Sequence, residues 1–407
     1  MPGPLSHLKV LDLSRILAGP WAGQVFADFG AEVIKVERPG RGDDTRHWGP
    51  PYLKDGQGAD TSEAAYYLSA NRGKKSLTVD ITSKEGQQIV RDLAACCDIL
   101  LENYKVGGLE KYGLDYAAIR EINPGIIYCS ITGFGQTGPY ANRAGYDAMI
   151  QGMGGLMSLT GVPEGQPGAG PQKVGVAVAD LMTGMYAVSA VLAAVIHRQQ
   201  TGEGQYIDLA LLDTQVAWLA NQAQNFLTSG RSPERQGTAH PNIVPYQAVP
   251  SRDGYFMLAV GNDDQFKRFC QIAGLGDLAE QPAYATNAAR VMAREQLVPM
   301  IEQATRERDS GWWLEKLSEA HVPCGPINNL QQVFSDPQVR ARGMVVEQEH
   351  PTAGTVRTVR NPVVFSASPL EYDQAPPVLG EHTEEVLREM LGKDSGEVEA
   401  LRKEGII

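Results

Sequence analysis

One carboxylate stands apart by its surroundings. Asp180 lies in Lys173-Val-Gly-Val-Ala-Val-Ala-Asp180-Leu-Met-Thr-Gly184, flanked by small and apolar residues, where a long helix over 180–198 is predicted to begin. A helix N-terminus, with its free backbone N–H groups and the positive end of the dipole, would hold such a carboxyl as the anion. Gly175, Ala177, Ala179 and Gly184 leave room beside it for a bulky ligand. An ionised, partly desolvated carboxylate can attack an activated acyl group; a plain helix cap is the competing reading of the same residue. Three basic clusters stand at or beside predicted strand ends: Arg38 with Arg41, Asn71-Arg-Gly-Lys-Lys75, and Lys105 with Lys111. Each alone reads as surface charge. Converging on one end of a sheet, they favour a polyphosphate-bearing ligand, arginine as a bidentate fork and lysine as a compact charge.

Other chemistries find little support. Gly133-Phe-Gly135-Gln-Thr-Gly138 matches G-x-G-x-x-G after a predicted strand, but Pro139 follows and no helix pattern opens there to receive a pyrophosphate. It reads as a tight strand-end loop whose glycines let the backbone approach a bound group. His240 and His382 stand beside glycine-rich segments without HxxxH or HExxH spacing, so no metal site is expected. No G-x-S-x-G elbow is present. Cys96, Cys97, Cys129, Cys270 and Cys324 are odd in number and form no CxxC, which fits reduced thiols in a cytoplasmic protein. Trp312-Trp313, with Leu314 and Leu317, reads as core.

The elements that must position these residues alternate. Strands are predicted over 9–14, 32–37, 75–81, 98–102 and 125–131. Helices are predicted over 20–29, 83–95 (Ser83 as N-cap) and 116–122. Alternation of this kind builds parallel βαβ units, with ligands at the loops leaving the carboxyl ends of the strands, here after residues 14, 37, 102 and 131. A strand over 205–209, a helix over 212–227 and a polar linker over 230–242 follow. A smaller α+β domain at about 230–325 opens with a hairpin, 246–249 and 255–260, around Asp253-Gly254. Beyond it lie strand-like pieces over 344–347 and 355–359 and a helix over 383–391.

The 407 residues allow two or three domains. With 43% hydrophobic and 21% charged residues the chain is ordinary globular material. A net charge of -12 gives no general attraction to nucleic acid or an anionic membrane, so an anionic ligand needs a local basic cluster. The longest apolar run, 185–196, is short of a membrane span and reads as a buried helix. The N-terminus shows no basic region followed by an apolar stretch.

Several long segments resemble one family. Leu8-Lys-Val-Leu-Asp-Leu-Ser-Arg-Ile-Leu-Ala-Gly-Pro20, Phe29-Gly-Ala-Glu-Val-Ile-Lys-Val-Glu-Arg-Pro39 and Leu68-Ser-Ala-Asn-Arg-Gly-Lys-Lys-Ser-Leu77 look like class III CoA-transferases, the family of formyl-CoA transferase and carnitine CoA-transferase. Asn103, Ser130-Ile-Thr-Gly-Phe-Gly-Gln-Thr-Gly-Pro-Tyr140, Ala179-Asp180, Gly325-Pro-Ile-Asn-Asn329 and Leu379-Gly-Glu-His-Thr383 continue the match through nearly the whole chain. The resemblance implies an α/β fold: a Rossmann-like large domain with an open parallel sheet (1–225, rejoined by 326–407), a small domain at 226–325, and two chains interlocked as a ring-like homodimer. It makes Asp180 the catalytic residue, carrying acyl-aspartyl anhydride and aspartyl-CoA thioester intermediates. It places Arg38, Arg72, Gly73, Lys74, Lys75, Asn103, Tyr104, Lys105, Lys111, Thr132, Gly133, Phe134 and Gly135 against coenzyme A. Gly261 is similar to a glycine loop that shields the intermediates. Gly237-Thr-Ala-His240 with Gly325-Pro-Ile most resembles the branch using succinyl-CoA and dicarboxylates, for which Arg15, Arg46 and His240 are candidate contacts to the distal carboxylate. Two alternatives stay open. One is a 2-methylacyl-CoA racemase, whose histidine is replaced here by Tyr146, a poor base; the other is a non-catalytic acyl-CoA-binding protein.

Overall fold

The sheet strands are apolar on both sides, and their residues divide by turn between two cores. In the computed structural model, which describes residues 3–370 and 372–407, Val10, Val33, Ile99, Leu101, Ile127 and Cys129 face one cluster, while Leu11, Ile34, Leu100 and Tyr128 face the other. That two-residue alternation with apolar residues on both faces is the pattern of a sheet covered by helices above and below. The six strands are β1 (Lys9–Asp12), β2 (Glu32–Glu37), β3 (Lys74–Thr78), β4 (Ile99–Glu102), β5 (Ile127–Thr132) and β6 (Gln205–Ala210). All pair in parallel, in the order β3-β2-β1-β4-β5-β6. This is the doubly wound order, and its crevice opens between the loops after β1 and β4, where the winding reverses.

Helices α1 (Ala18–Asp28), α2 (Lys84–Cys96), α3 (Tyr116–Ile122), α4 (Asp147–Met153), α5 (Val178–Thr201), α6 (Leu211–Ala217) and α7 (Ala220–Ser229) follow the strands. Ser83 does cap α2, its Oγ accepting from the Gly86 N–H at 2.9 Å. One face of the sheet packs Ala22, Phe26, Val188, Val191 and Val195 of α1 and α5; the other packs Ile89, Val90, Leu93 and Ile119 with Val386, Leu387 and Val398 from the C-terminal helices. By length and composition α5 could cross a membrane, with a mean hydropathy of 1.7, but it lies in the sheet core through Ala187, Val188, Val191, Ala194 and Val195. The helix expected over 212–227 is two helices, the break marked by a φ of 46° at Ala220, the first residue of α7.

The chain divides into two compact units: Met1–Leu156 with Lys173–Gly230 and Arg340–Ile407, and Met157–Gln172 with Arg231–Val339. The first boundary lies at the expected linker, but the smaller unit runs on to Val339 rather than 325 and recruits 157–172. That segment is held within it by the Gly237 N–H to Gly161 O bond (3.2 Å) and by Arg235, which donates to Val162 O (3.1 Å) and pairs with Glu164. The smaller unit has a three-stranded antiparallel sheet, Tyr246–Pro250, Tyr255–Ala259 and Cys324–Pro326. Its core includes Phe256, Phe266, Phe269, Leu297 and Trp313, so the tryptophan reading holds.

Around the end of β1, the middle of β2 and the start of β3 lies a charged layer without solvent. Lys35 Nζ pairs with Asp43 at 2.9 Å and donates to Ser14 O at 2.9 Å; Lys74 Nζ pairs with Asp12 at 3.0 Å and donates to Pro20 O and Asn71 Oδ1. Removing one member leaves its partner charged and buried. Lys35→Met should therefore destabilise the fold by about 3–5 kcal/mol, measured by urea unfolding.

Candidate active site

The loops after β1, β4 and β5 converge with the start of α5 on a cleft of about 430 Å³. Its walls include Arg15 and Ile16 after β1, Asn103, Tyr104 and Lys105 after β4, and Thr132 and Gly133 around the end of β5, with Lys111, Tyr146 and Asp180. Arg15 and Asn103 lock the crevice at the winding reversal: the Arg15 N–H donates to Asn103 Oδ1 at 2.8 Å, and Asn103 Nδ2 donates to Arg15 O at 2.7 Å. Ile16, at the cleft wall, is held at a φ of 72°, with its N–H directed at the Asp43 carboxylate (3.2 Å). A β-branched residue in that region is strained, and the strain persists only where surrounding bonds over-determine it. A second cavity of about 310 Å³ shares Arg15, Asp44, Tyr104 and Tyr112 with the first and carries Arg38 and Arg41.

Asp180 occupies the first turn of α5, but it is not the residue that the helix end holds as an anion. Ala177 offers no side-chain cap; instead Asp147, first residue of α4, accepts from the Ala179 N–H at 2.9 Å and from Gln151 Nε2 at 2.7 Å. Burial, with Asp147 as a neighbouring negative charge, pushes the Asp180 carboxyl up to about 7. This corrects the expectation from helix capping alone: the favourable helix end is already occupied, and Asp180 feels a like charge. Tyr66 lies within electrostatic reach of the same pair. Burial, Asp180 and Asp147 all raise its phenol, so it stays protonated and able to donate. The glycine spacing also needs correction. Gly184 serves helix packing, since a Cβ there would lie 2.7 Å from Ala18 O and 3.1 Å from the Trp21 ring.

Several expected contacts are spent elsewhere. Arg72 is buried, with two bonds to Asp28 and others to Thr358 Oγ1 and Val359 O. Lys74 belongs to the buried layer, and Lys75 pairs with Glu32 and Glu385 at 2.8 Å each. Arg72, Gly73 and Lys75 instead line a different cavity with Asp28 and Tyr372. Arg46, expected at the substrate, is buried over the Tyr67 ring (3.7 Å) with both ends on Glu37 and Glu63. Phe134 is buried behind the cleft, and Gly135 donates to Thr132 Oγ1. Among the described residues no group of three or more His, Cys, Asp or Glu is arranged for a metal. His240 and Gly261 belong to the smaller unit, where His240 stacks on Tyr246 at 5.3 Å and the Gly261 N–H donates to Gln265 Oε1 at 2.7 Å. Sequence reasoning missed Asp147, Tyr66 and the buried Glu102, whose Oε2 accepts the Tyr104 N–H at 2.7 Å and whose carboxyl burial raises to about 7. Lys35, a charge between Ile34 and Val36 in a strand apolar on both faces, was the legible signal among those overlooked.

The arrangement offers a carboxylate in a partly desolvated cleft with cations along the walls; the nearby Tyr66 phenol is protonated. Asp147→Asn should lower the apparent pKa of Asp180 from about 7; 13C-NMR titration of the aspartate carboxyls checks this, with the wild-type values read as those of a coupled pair.

A family model for CoA-transferase family III matches residues 5–383. Over 387 residues the chain is 52% identical to a succinate–glutarate CoA-transferase of Agrobacterium fabrum, covering 95% of this chain and 96% of that protein. Over 404 residues it is 45% identical to the succinyl-CoA:glutarate CoA-transferase of Homo sapiens, covering 99% and 90%. A crystal structure of a CAIB/BAIF family protein from Brucella suis matches with a TM-score of 0.83 at 50% identity, over 96% of this chain and all of that one.

Proposed function

The chain belongs to CoA-transferase family III and is an enzyme of that class; from that premise we propose that it moves CoA from succinyl-CoA to a short dicarboxylate such as glutarate, malate or itaconate, with Asp180 as the covalent carrier. The observation that carries the reading is the Asp180 carboxyl, half-buried at the wall of a cleft whose other lining residues include Arg15, Lys105 and Lys111. The names of the relatives support the choice of succinyl donor and dicarboxylate acceptor.

The carboxylate of Asp180 adds to the thioester carbonyl, the C–S bond breaks, and CoA thiolate leaves an acyl-aspartyl anhydride. The thiolate then adds to the aspartyl carbonyl, releasing the donor acid and leaving an aspartyl-CoA thioester. The acceptor carboxylate attacks that thioester, and the returning thiolate takes the acceptor acyl group, restoring Asp180. Each step passes through a tetrahedral oxyanion, which the protonated Tyr66 is suited to meet by donation. Partial desolvation strengthens the nucleophile and limits loss of the anhydride to water. Arg38 in the adjoining cavity, with Lys111 in the cleft, would take the CoA phosphates. A homodimer is part of the same reading, supported by the exposed apolar side chains Met185, Tyr186, Ile196, Val216, Trp218 and Leu227 on α5–α7; sedimentation at twice the 44.0 kDa chain mass is expected.

Mixing enzyme with succinyl-CoA and hydroxylamine should convert Asp180 to its hydroxamate, found by peptide mass spectrometry. Asp180→Ala should reduce transfer to background while still binding CoA. Turnover that survives the substitution sinks the mechanism, and α-proton exchange into 2-methylacyl-CoA in deuterated water would favour the racemase instead. Because the anion is the reactive form and its pKa is raised to about 7, kcat/KM should fall about tenfold per pH unit below that value; a pH–rate profile reads it directly.

A further inference from the structure

Arg143 belongs to none of the basic clusters considered above, yet it lines the Asp180 cleft. It stands on the loop between β5 and α4, and that loop is closed tightly at its base. A Cβ on Gly133 would lie 2.5 Å from Gly145 Cα, and one on Gly145 would lie 2.3 Å from Gly133 Cα, so the two ends touch through backbone alone. Within the loop, Phe134 and Tyr140 pack edge to face at 5.5 Å, and the Arg143 guanidinium lies 5.3 Å and 4.6 Å from their ring centroids. The Arg143 N–H is tied to Tyr140 O at 2.8 Å. Stacking of this kind fixes the guanidinium plane while leaving its N–H edge free to grip a planar anion with two bonds.

From this placement we propose that Arg143 reads the distal carboxylate of a dicarboxylic acyl group whose other carboxyl is bound at Asp180. The inference rests on the transferase reading for the identity of that acyl group. Most competing cations are committed elsewhere; Lys105 also lines the cleft, but as a compact charge without the bidentate fork. Arg15 pairs with Asp44 at 3.1 Å, Arg46 is buried on Glu37 and Glu63, and Lys111 sits over the ring of Tyr112, a residue that also lines the second cavity. Arg143 has no carboxylate within 4.0 Å among the described residues, and it stands on the Asp180 side with Tyr146, not on the Arg38 side. It forms no ion pair with the Asp180 carboxylate, although both line the cleft. A cation touching Asp180 would blunt its attack, whereas one set apart can meet the far end of a short diacid and offset its charge beside two aspartates.

The test uses the full chain with Asp180→Ala, which binds without turnover, and measures affinity for succinyl-CoA, butyryl-CoA and free CoA. Butyryl-CoA has the same carbon chain but a methyl in place of the distal carboxylate. Adding Arg143→Gln should weaken succinyl-CoA by about 10- to 100-fold and leave the other two within about twofold. Arg143→Lys, which keeps charge but loses the fork, should fall between. Equal weakening of all three ligands would assign Arg143 to a phosphate and overturn the proposal; unchanged succinyl-CoA affinity overturns it too. Absence of any transfer by the unsubstituted enzyme, alongside a selective loss of succinyl-CoA binding, would sink the transferase reading and leave the assignment of Arg143 standing.

Discussion

The site depends on charges that have no access to water. Lys35, Asp43, Lys74 and Asp12 are fully or almost fully buried around the end of β1, the middle of β2 and the start of β3, and each meets an opposite charge at hydrogen-bond distance. Desolvating such groups is costly, so a single geometry that satisfies all of them is strongly favoured over its neighbours. Lys35 ties Asp43 to Ser14 O, and Asp43 in turn takes the Ile16 N–H, so the layer fixes the loop that walls the cleft. Lys74 does the same for Pro20 at the start of α1. Residues that look from their spacing like phosphate ligands are thereby committed to holding the floor in place.

Above these charges the proposed chemistry would turn on two aspartates rather than one. Asp147 takes the helix N-terminus that would otherwise have stabilised Asp180 as an anion. The cost falls on Asp180, whose carboxyl rises to about 7 and is therefore more basic than an exposed aspartate. A nucleophile gains from basicity as long as enough of it stays ionised, and near neutral pH a group at about 7 meets both demands. Burial and the same two charges keep Tyr66 protonated, so that in the proposed mechanism Asp147 would tune both donor and nucleophile.

The cleft has a polarity that suits the proposed acyl-CoA ligand. The strand order places the crevice between the loops of β1 and β4, and Arg15 with Asn103 clasps it there. One side continues into the cavity with Arg38 and Arg41; the other carries Asp180, Tyr146 and Arg143. A long ligand with phosphates at one end and a reactive acyl group at the other fits that polarity of charge.

Much of this was legible in the residues. Apolar runs of strand length pointed to the parallel sheet, with β2 and α3 placed to the residue. The long family motifs gave the enzyme class, which periodicity could not. What the chain could not reveal in one dimension was the partner of each charge. Arg46, Arg72 and Lys74 have the composition of ligand contacts, and only packing decided that Glu37, Asp28 and Asp12 would claim them. Likewise 157–172 reads as a continuation of the large unit until Arg235 draws it into the smaller one. Secondary structure follows from local periodicity, which sequence carries residue by residue; the energy of a charge depends on its burial and on neighbours distant in sequence, and those exist only once the chain has folded.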